Sequence, residues 1–205
     1  MIQELNSLPD PKRGLFIDIL FRDLKTMAER INYIVVPDGI AADKNGKPIK
    51  APSFVYKQVL DYVLHVSREG DAIYLAPANF CRGKTEHALA FEYIMQAKKR
   101  NIDVYCPSVS FATYVDTYGN ARHLKAFLHE NITSLSFDLV CAYIHSYRAV
   151  YCFKKEGFHI KKTHRVYYRV TGENIVGRWW YYKYKPVHCI YELLAFIRDM
   201  FHRCG

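Results

Sequence analysis

The sequence predicts one three-layer α/β domain, a mainly parallel sheet with helices on both faces. Three observations carry this reading. Short β-branched runs alternate along the chain with segments of helical hydrophobic period. Most of these runs are apolar throughout rather than one-sided, as strands covered on both faces are. Polar side chains gather just after the runs, where ligands sit in open parallel sheets.

The elements follow in order. Gly14 to Ile31 has Leu15, Ile19, Leu20, Leu24, Met27 and Ile31 at helical spacing and reads as an N-terminal amphipathic helix, an extension over residues 1–31. Asn32 to Pro37 is a buried strand, ended by proline. Asp38-Gly39 opens a loop, and Lys44-Asn45-Gly46-Lys47-Pro48 is a turn. Ser53 caps a helix reaching about Val66. Ala72 to Ala76 is the second strand, stopped by Pro77. Thr85 caps a helix extending to Lys99, and Asp103 to Cys106 is the third strand. A helix from Tyr118 or Gly119 to His129 precedes a fourth strand, Ser136 to Ala142. His145 to Lys155 is a helix stopped by Gly157. Phe158 to Val170 alternates in part and reads as strand, with Thr171 to Asn174 as a turn. Gly177 to Lys185 has no clear period, and the last helix runs from Ile190 to His202. The order of elements is that of a Rossmann-like fold.

With 205 residues, half of them apolar and 15% aromatic, the chain fits one domain with a substantial core. The six cysteines form no Cys-x-x-Cys pair, so reduced, mostly buried thiols and no metal site are expected. The start Met-Ile-Gln-Glu-Leu-Asn lacks the marks of a signal peptide, and no apolar run approaches a membrane span, which together predict a cytoplasmic protein. The net charge is +9, of which Tyr151 to Gly205 supplies +7, from 11 Lys/Arg against 4 Asp/Glu. This basic part, residues 158–205, also holds Tyr167, Tyr168, Trp179, Trp180, Tyr181, Tyr182 and Tyr184. It reads either as a surface for nucleic acid or anionic membrane, or as a solvated basic face over an aromatic core.

Three segments could carry chemistry. Asn79-Phe-Cys-Arg-Gly-Lys-Thr-Glu-His87 runs into a helix N-terminus, where backbone N–H groups suit an anion and Arg82 and Lys84 add charge. Gly83-Lys84-Thr85 is not a phosphate loop, because no glycine stands four residues before the Gly-Lys pair. Thr85 reads equally as a cap. Asp116, Thr117 and Asn120 precede or open a helix, a setting that often serves only capping and turning. His145 stands at a strand–helix junction as a candidate general acid/base, with Arg148 one turn on and able to hold a carboxylate or phosphate.

Together, Val35-Val36-Pro37-Asp38-Gly39, Thr85-Glu86-His87-Ala88, Thr117-Tyr-Gly-Asn120-Ala121, His145-Ser-Tyr-Arg148-Ala149 and Tyr191-Glu192 resemble the motifs of the YdcF, SanA and ElyC family. The resemblance spans about Tyr33 to Phe201 and lies nearer the soluble YdcF branch. It implies an α/β fold, with S-adenosylmethionine binding in one branch and envelope polysaccharide metabolism in the other. Ala76-Pro77-Ala78-Asn79, Tyr114 and Gly119 depart from the family pattern, which implies a different substrate choice.

The expected function is an enzyme, for instance a transferase, or a binding protein for a nucleotide-like or anionic small molecule of S-adenosylmethionine or sugar-nucleotide type. His145 and Glu86 are its expected catalytic residues. Asp38, Gly39, Asn79, Arg82, Lys84, Thr85, Asp116, Thr117, Asn120 and Arg148 are its expected ligand contacts. The rival expectations are a nucleic-acid or membrane-surface module and a non-catalytic accessory protein.

Overall fold

Five parallel strands carry the structure, a computed structural model that describes residues 30–201 apart from 82, 99, 110–113 and 130–134. They are β1 (Asn32–Val35), β4 (Ala72–Leu75), β7 (Asp103–Tyr105), β8 (Ser136–Ala142) and β9 (His159–Val166), in the spatial order β7-β4-β1-β8-β9. The predicted three-layer α/β fold is the one observed. The predicted N-terminal helix lies outside the described residues, apart from Arg30 and Ile31.

Period-two alternation within β1 sets the layers. Tyr33 and Val35 pack on one face of the sheet, among α1 (Phe54–Val66) and α2 (Glu86–Ala97). Ile34 and Val36 pack on the other, among α3 (Thr117–Leu128) and α4 (Ser146–Lys155). Being apolar on both sides is what makes β1 the central strand. Ser53 caps α1 by accepting from the Tyr56 N–H, and Thr85 caps α2 by accepting from the Ala88 N–H, both as predicted.

Four parts of the predicted layout change. The stretch after Asp38 is not only loop: β2 (Ile40–Ala42) and β3 (Pro48–Pro52) form an antiparallel hairpin, joined by β10 (Asn174–Ile175). Phe80–Cys81 and Lys84–Thr85 pair as a minimal hairpin, β5 and β6, inside the predicted loop. Gly177–Lys183 is a 3₁₀ segment, and α5 (Lys185–Phe201) follows it, with Pro186 in its first turn where a missing N–H does no harm. β9 ends at Val166, because β8, its only neighbour in the sheet, ends opposite it at Ala142.

Cys106, Cys141, Cys152 and Cys189 are free thiols. Cys141 and Cys152 are buried, Cys106 half-buried and Cys189 exposed. Among the described residues no helix is long and apolar enough to cross a membrane.

Phe137 is fully buried against Tyr74 and Phe158, edge-on to both rings. Phe137→Ala is expected to cost about 3–5 kcal/mol of stability, read from the midpoint of urea unfolding.

Candidate functional site

In the order β7-β4-β1-β8-β9 the chain winds outward from β1 in both directions. The crevice between the carboxyl ends of β1 and β8 is therefore the topological switch point. Three residues past β1 stands Asp38, and three past β8 stands His145. They meet there: His145 Nδ1 lies 2.9 Å from Asp38 Oδ1. Asp38 also accepts from the Tyr182 hydroxyl at 2.8 Å and from the Ala142 N–H at 3.3 Å. An oxygen that accepts from all sides fixes the imidazole: Nδ1 carries the proton and donates it to Asp38. With Nδ1 committed to Asp38, the ring's Nε2 faces Thr117, whose Oγ1 lies 2.9 Å from it. Asp38, His145 and Thr117 thus form a buried carboxylate–imidazole–hydroxyl chain. His145 occupies the N-cap position of α4 but makes no capping bond, so its ring is committed to this chain.

Thr117 is the first residue of α3, and Asp116 caps that helix by accepting from the Gly119 N–H. Asn120 donates to the Pro77 carbonyl, and Asn79 holds both backbone groups of Val115 at 2.7 and 2.8 Å. His87 accepts the Ala78 N–H on Nδ1 at 3.0 Å and has its Nε2 3.0 Å from the Pro107 carbonyl. Burial lowers its pKa, so it is a neutral brace for the loop after β4. These amides and this imidazole hold rigid the walls of a small chamber of about 20 Å³, room for one water-sized group. Glu86, Asp116, Thr117, Asn120, His145 and Arg148 all line it, as does Asn79.

Glu86 accepts the Gly39 N–H at 2.8 Å. Burial lifts its pKa to about 7, against the lowering effect of the bonds from Gly39 and Asn79. Gly39 has φ +94°, and a Cβ there would stand 3.0 Å from the Trp179 ring. Its role in the fold is to let the backbone turn beneath that ring.

Trp179, Tyr181 and Tyr182 close the chamber from above. They belong to the stretch where a basic aromatic surface is one of two expectations, and they are buried, as is Tyr168. Tyr167, Trp180 and Tyr184 are exposed. The sequence therefore holds both a core and a surface here.

Arg148 is also buried, and its fork is occupied. Nε and Nη2 bind Glu192 at 2.6 and 2.9 Å, and Nη1 lies 3.5 Å from Asp199. Burial would raise the Glu192 pKa, but His145, His188 and Arg148 hold it far below the carboxylate range. The cation at the chamber's edge is Arg178, which lies over the Tyr114 and Trp179 rings.

Of the other sequence candidates, Thr85 sits beside the chamber as a helix cap, Arg82 lies outside the described residues, and Lys84 is described in its backbone alone. Tyr182, Arg178 and the Arg148–Glu192 pairing were not among the expected site features. Only the Glu-bearing final helix of the family resemblance pointed toward Glu192. Among the described residues no three His, Cys, Asp or Glu side chains converge as a metal site requires.

No protein-family model matches the chain, and no match is found among the curated proteins or the solved structures. What stands here is an α/β fold of Rossmann-like architecture with a polar chamber at its switch point.

The folded state keeps a proton on Glu86 that the unfolded chain releases in the ordinary glutamate range. Stability therefore falls as pH rises from that range through about 7. Glu86→Gln is expected to remove this part of the decline, seen as a smaller difference between melting temperatures at about pH 5 and about pH 8 than in the wild type. Gly39→Ala is expected to lose about 1–3 kcal/mol through the strained φ and to displace Trp179, seen as a change in tryptophan emission.

Proposed function

We propose that the protein is an enzyme acting on a small, anionic, nucleotide-like molecule, with His145 as its proton-transfer group. The observation that carries this reading is the Asp38–His145–Thr117 chain at the switch point. A base oriented by a carboxylate and bonded to a hydroxyl can take that hydroxyl's proton, or pass one to a leaving group, near neutral pH.

Two features favour an anionic ligand. α3 begins at Thr117 and α4 at Ser146, so the positive ends of two helices face the chamber region. Arg178 supplies a full charge at its edge. We assign anion contact to Arg178, and assign to Arg148 the holding of Glu192 and α5. Glu86 has an intermediate protonation preference that suits a contact to a ligand hydroxyl or amine. Asn120 and Asn79 keep the walls in register.

A nucleotide-sized ligand needs far more room than about 20 Å³, since such pockets run to hundreds of cubic ångströms. The 3₁₀ segment with Trp179, Tyr181 and Tyr182 must therefore move to admit it. The resemblance to the YdcF family nominates S-adenosylmethionine and sugar nucleotides as the first molecules to try.

The test is a thermal-shift panel of S-adenosylmethionine, nucleotides and sugar nucleotides, followed by turnover assays on any that stabilise. At least one is expected to raise the melting temperature, and His145→Ala is expected to lower turnover by about 10²–10⁴-fold while the protein stays folded. A folded His145→Ala variant with wild-type turnover would sink the assignment.

A further inference from the structure

The C-terminal helix α5 (Lys185–Phe201) is amphipathic in the reverse sense. Its buried side chains are His188, Glu192 and Asp199, all polar. They face Tyr168, Arg148 and Cys152 of the domain. Its solvent side is apolar: Ile190 is 60% exposed, Leu193 58%, Leu194 62% and Phe201 80%, and Val187 and Ile197 are exposed as well. A contiguous apolar face of this kind marks an interaction surface on a water-soluble domain.

The exposed charges of its own stretch have one sign, although one of them, Arg198, is held by Asp116 of α3's cap. From Gly177 to Phe201 the acidic residues are Glu192 and Asp199, and both are buried. The exposed charged residues of the same stretch are Arg178, Lys185 and Arg198. Trp180 and Tyr184, exposed and adjacent in space, add the aromatic side chains that favour a water–hydrocarbon boundary. The apolar surface continues past Leu193 into a groove of about 310 Å³ between α4 and α5, lined by Tyr143, Ile144, Tyr147 and Phe196.

We propose that this face of α5 docks on an anionic lipid surface, burying its aliphatic side chains at the headgroup boundary with the cations around them. Aliphatic exposure with basic flanks fits an interfacial helix. Nucleic acid would call for stacking aromatics, and the centre of the face has Ile190, Leu193, Leu194 and Ile197 instead. The proposal does not depend on the ligand of the chamber. It places that chamber, walled in part by Trp179, beside the membrane.

The test is co-sedimentation of the full chain with vesicles of phosphatidylcholine alone or mixed with phosphatidylglycerol, alongside solution mass and oligonucleotide binding. The wild type is expected to bind the mixed vesicles, with a blue shift of Trp180 emission, and to bind less at high salt. Ile190→Glu with Leu194→Glu is expected to lose at least about tenfold in binding with an unchanged circular dichroism spectrum, since both sites are exposed. Lys185→Glu is expected to weaken binding to the mixed vesicles only. Absence of vesicle binding at low salt would overturn the proposal. So would full vesicle binding by the folded double variant. A wild-type dimer that the double variant splits would assign the face to a second copy of the chain, and oligonucleotide binding that the double variant abolishes would assign it to nucleic acid.

Discussion

The Asp38 carboxyl group is the point on which the site depends. It is 1% exposed, and burial of such a group is tolerable only with its oxygens bonded. Its donors come from two distant parts of the chain: the end of β8, with the Ala142 backbone and His145 just after it, and Tyr182 of the 3₁₀ segment. Its own carbonyl accepts the Ser53 hydroxyl that caps α1. One residue, through its carboxyl group and its backbone carbonyl, thus joins the central strand, its neighbour, a helix start and the cover of the chamber. Removing it would leave His145 without its orienting partner and Tyr182 with a buried hydroxyl to satisfy.

Around that point the protein balances its charges in closed pairs. Arg148 and Glu192 neutralise each other in a bidentate bond, with Asp199 behind them. His164 Nε2 meets Asp138 at 2.9 Å elsewhere in the sheet, with Tyr62 on its other nitrogen. Truncating one member of such a pair strands its partner in a dry environment, which costs far more than the pair contributes when whole. The α4–α5 contact is therefore fixed in register by ionic geometry as well as by apolar packing.

Much of this was legible in the sequence, and the parts that were not have physical reasons. β1, β4, β7 and β8 declared themselves by short apolar runs, and Asp38 and His145 were marked because both follow strands. Their meeting across 107 residues needed only the parallel topology. The hairpin of Ile40–Ala42 with Pro48–Pro52 escaped because three residues are too few to show a period, and because its third strand lies far along the chain at Asn174. The aromatic run Trp179 to Tyr184 could not say which rings turn inward; that is decided by partners such as Asp38 and the bare Cα of Gly39. α5 misleads in the opposite way. Its apolar spacing reads as a core face, while its few polar residues are the ones taken inside.

The bond between Tyr182 and Asp38 joins residues 144 apart in sequence. Synthesis runs from the N-terminus, so all five strands of the main sheet, which end at Val166, are made before the residues that cover the chamber. Closing the chamber is for that reason a late, non-local step in biosynthesis, paid for in loop entropy. A chain that ended before the aromatic stretch would lack both the Tyr182 bond to Asp38 and three rings of the main core.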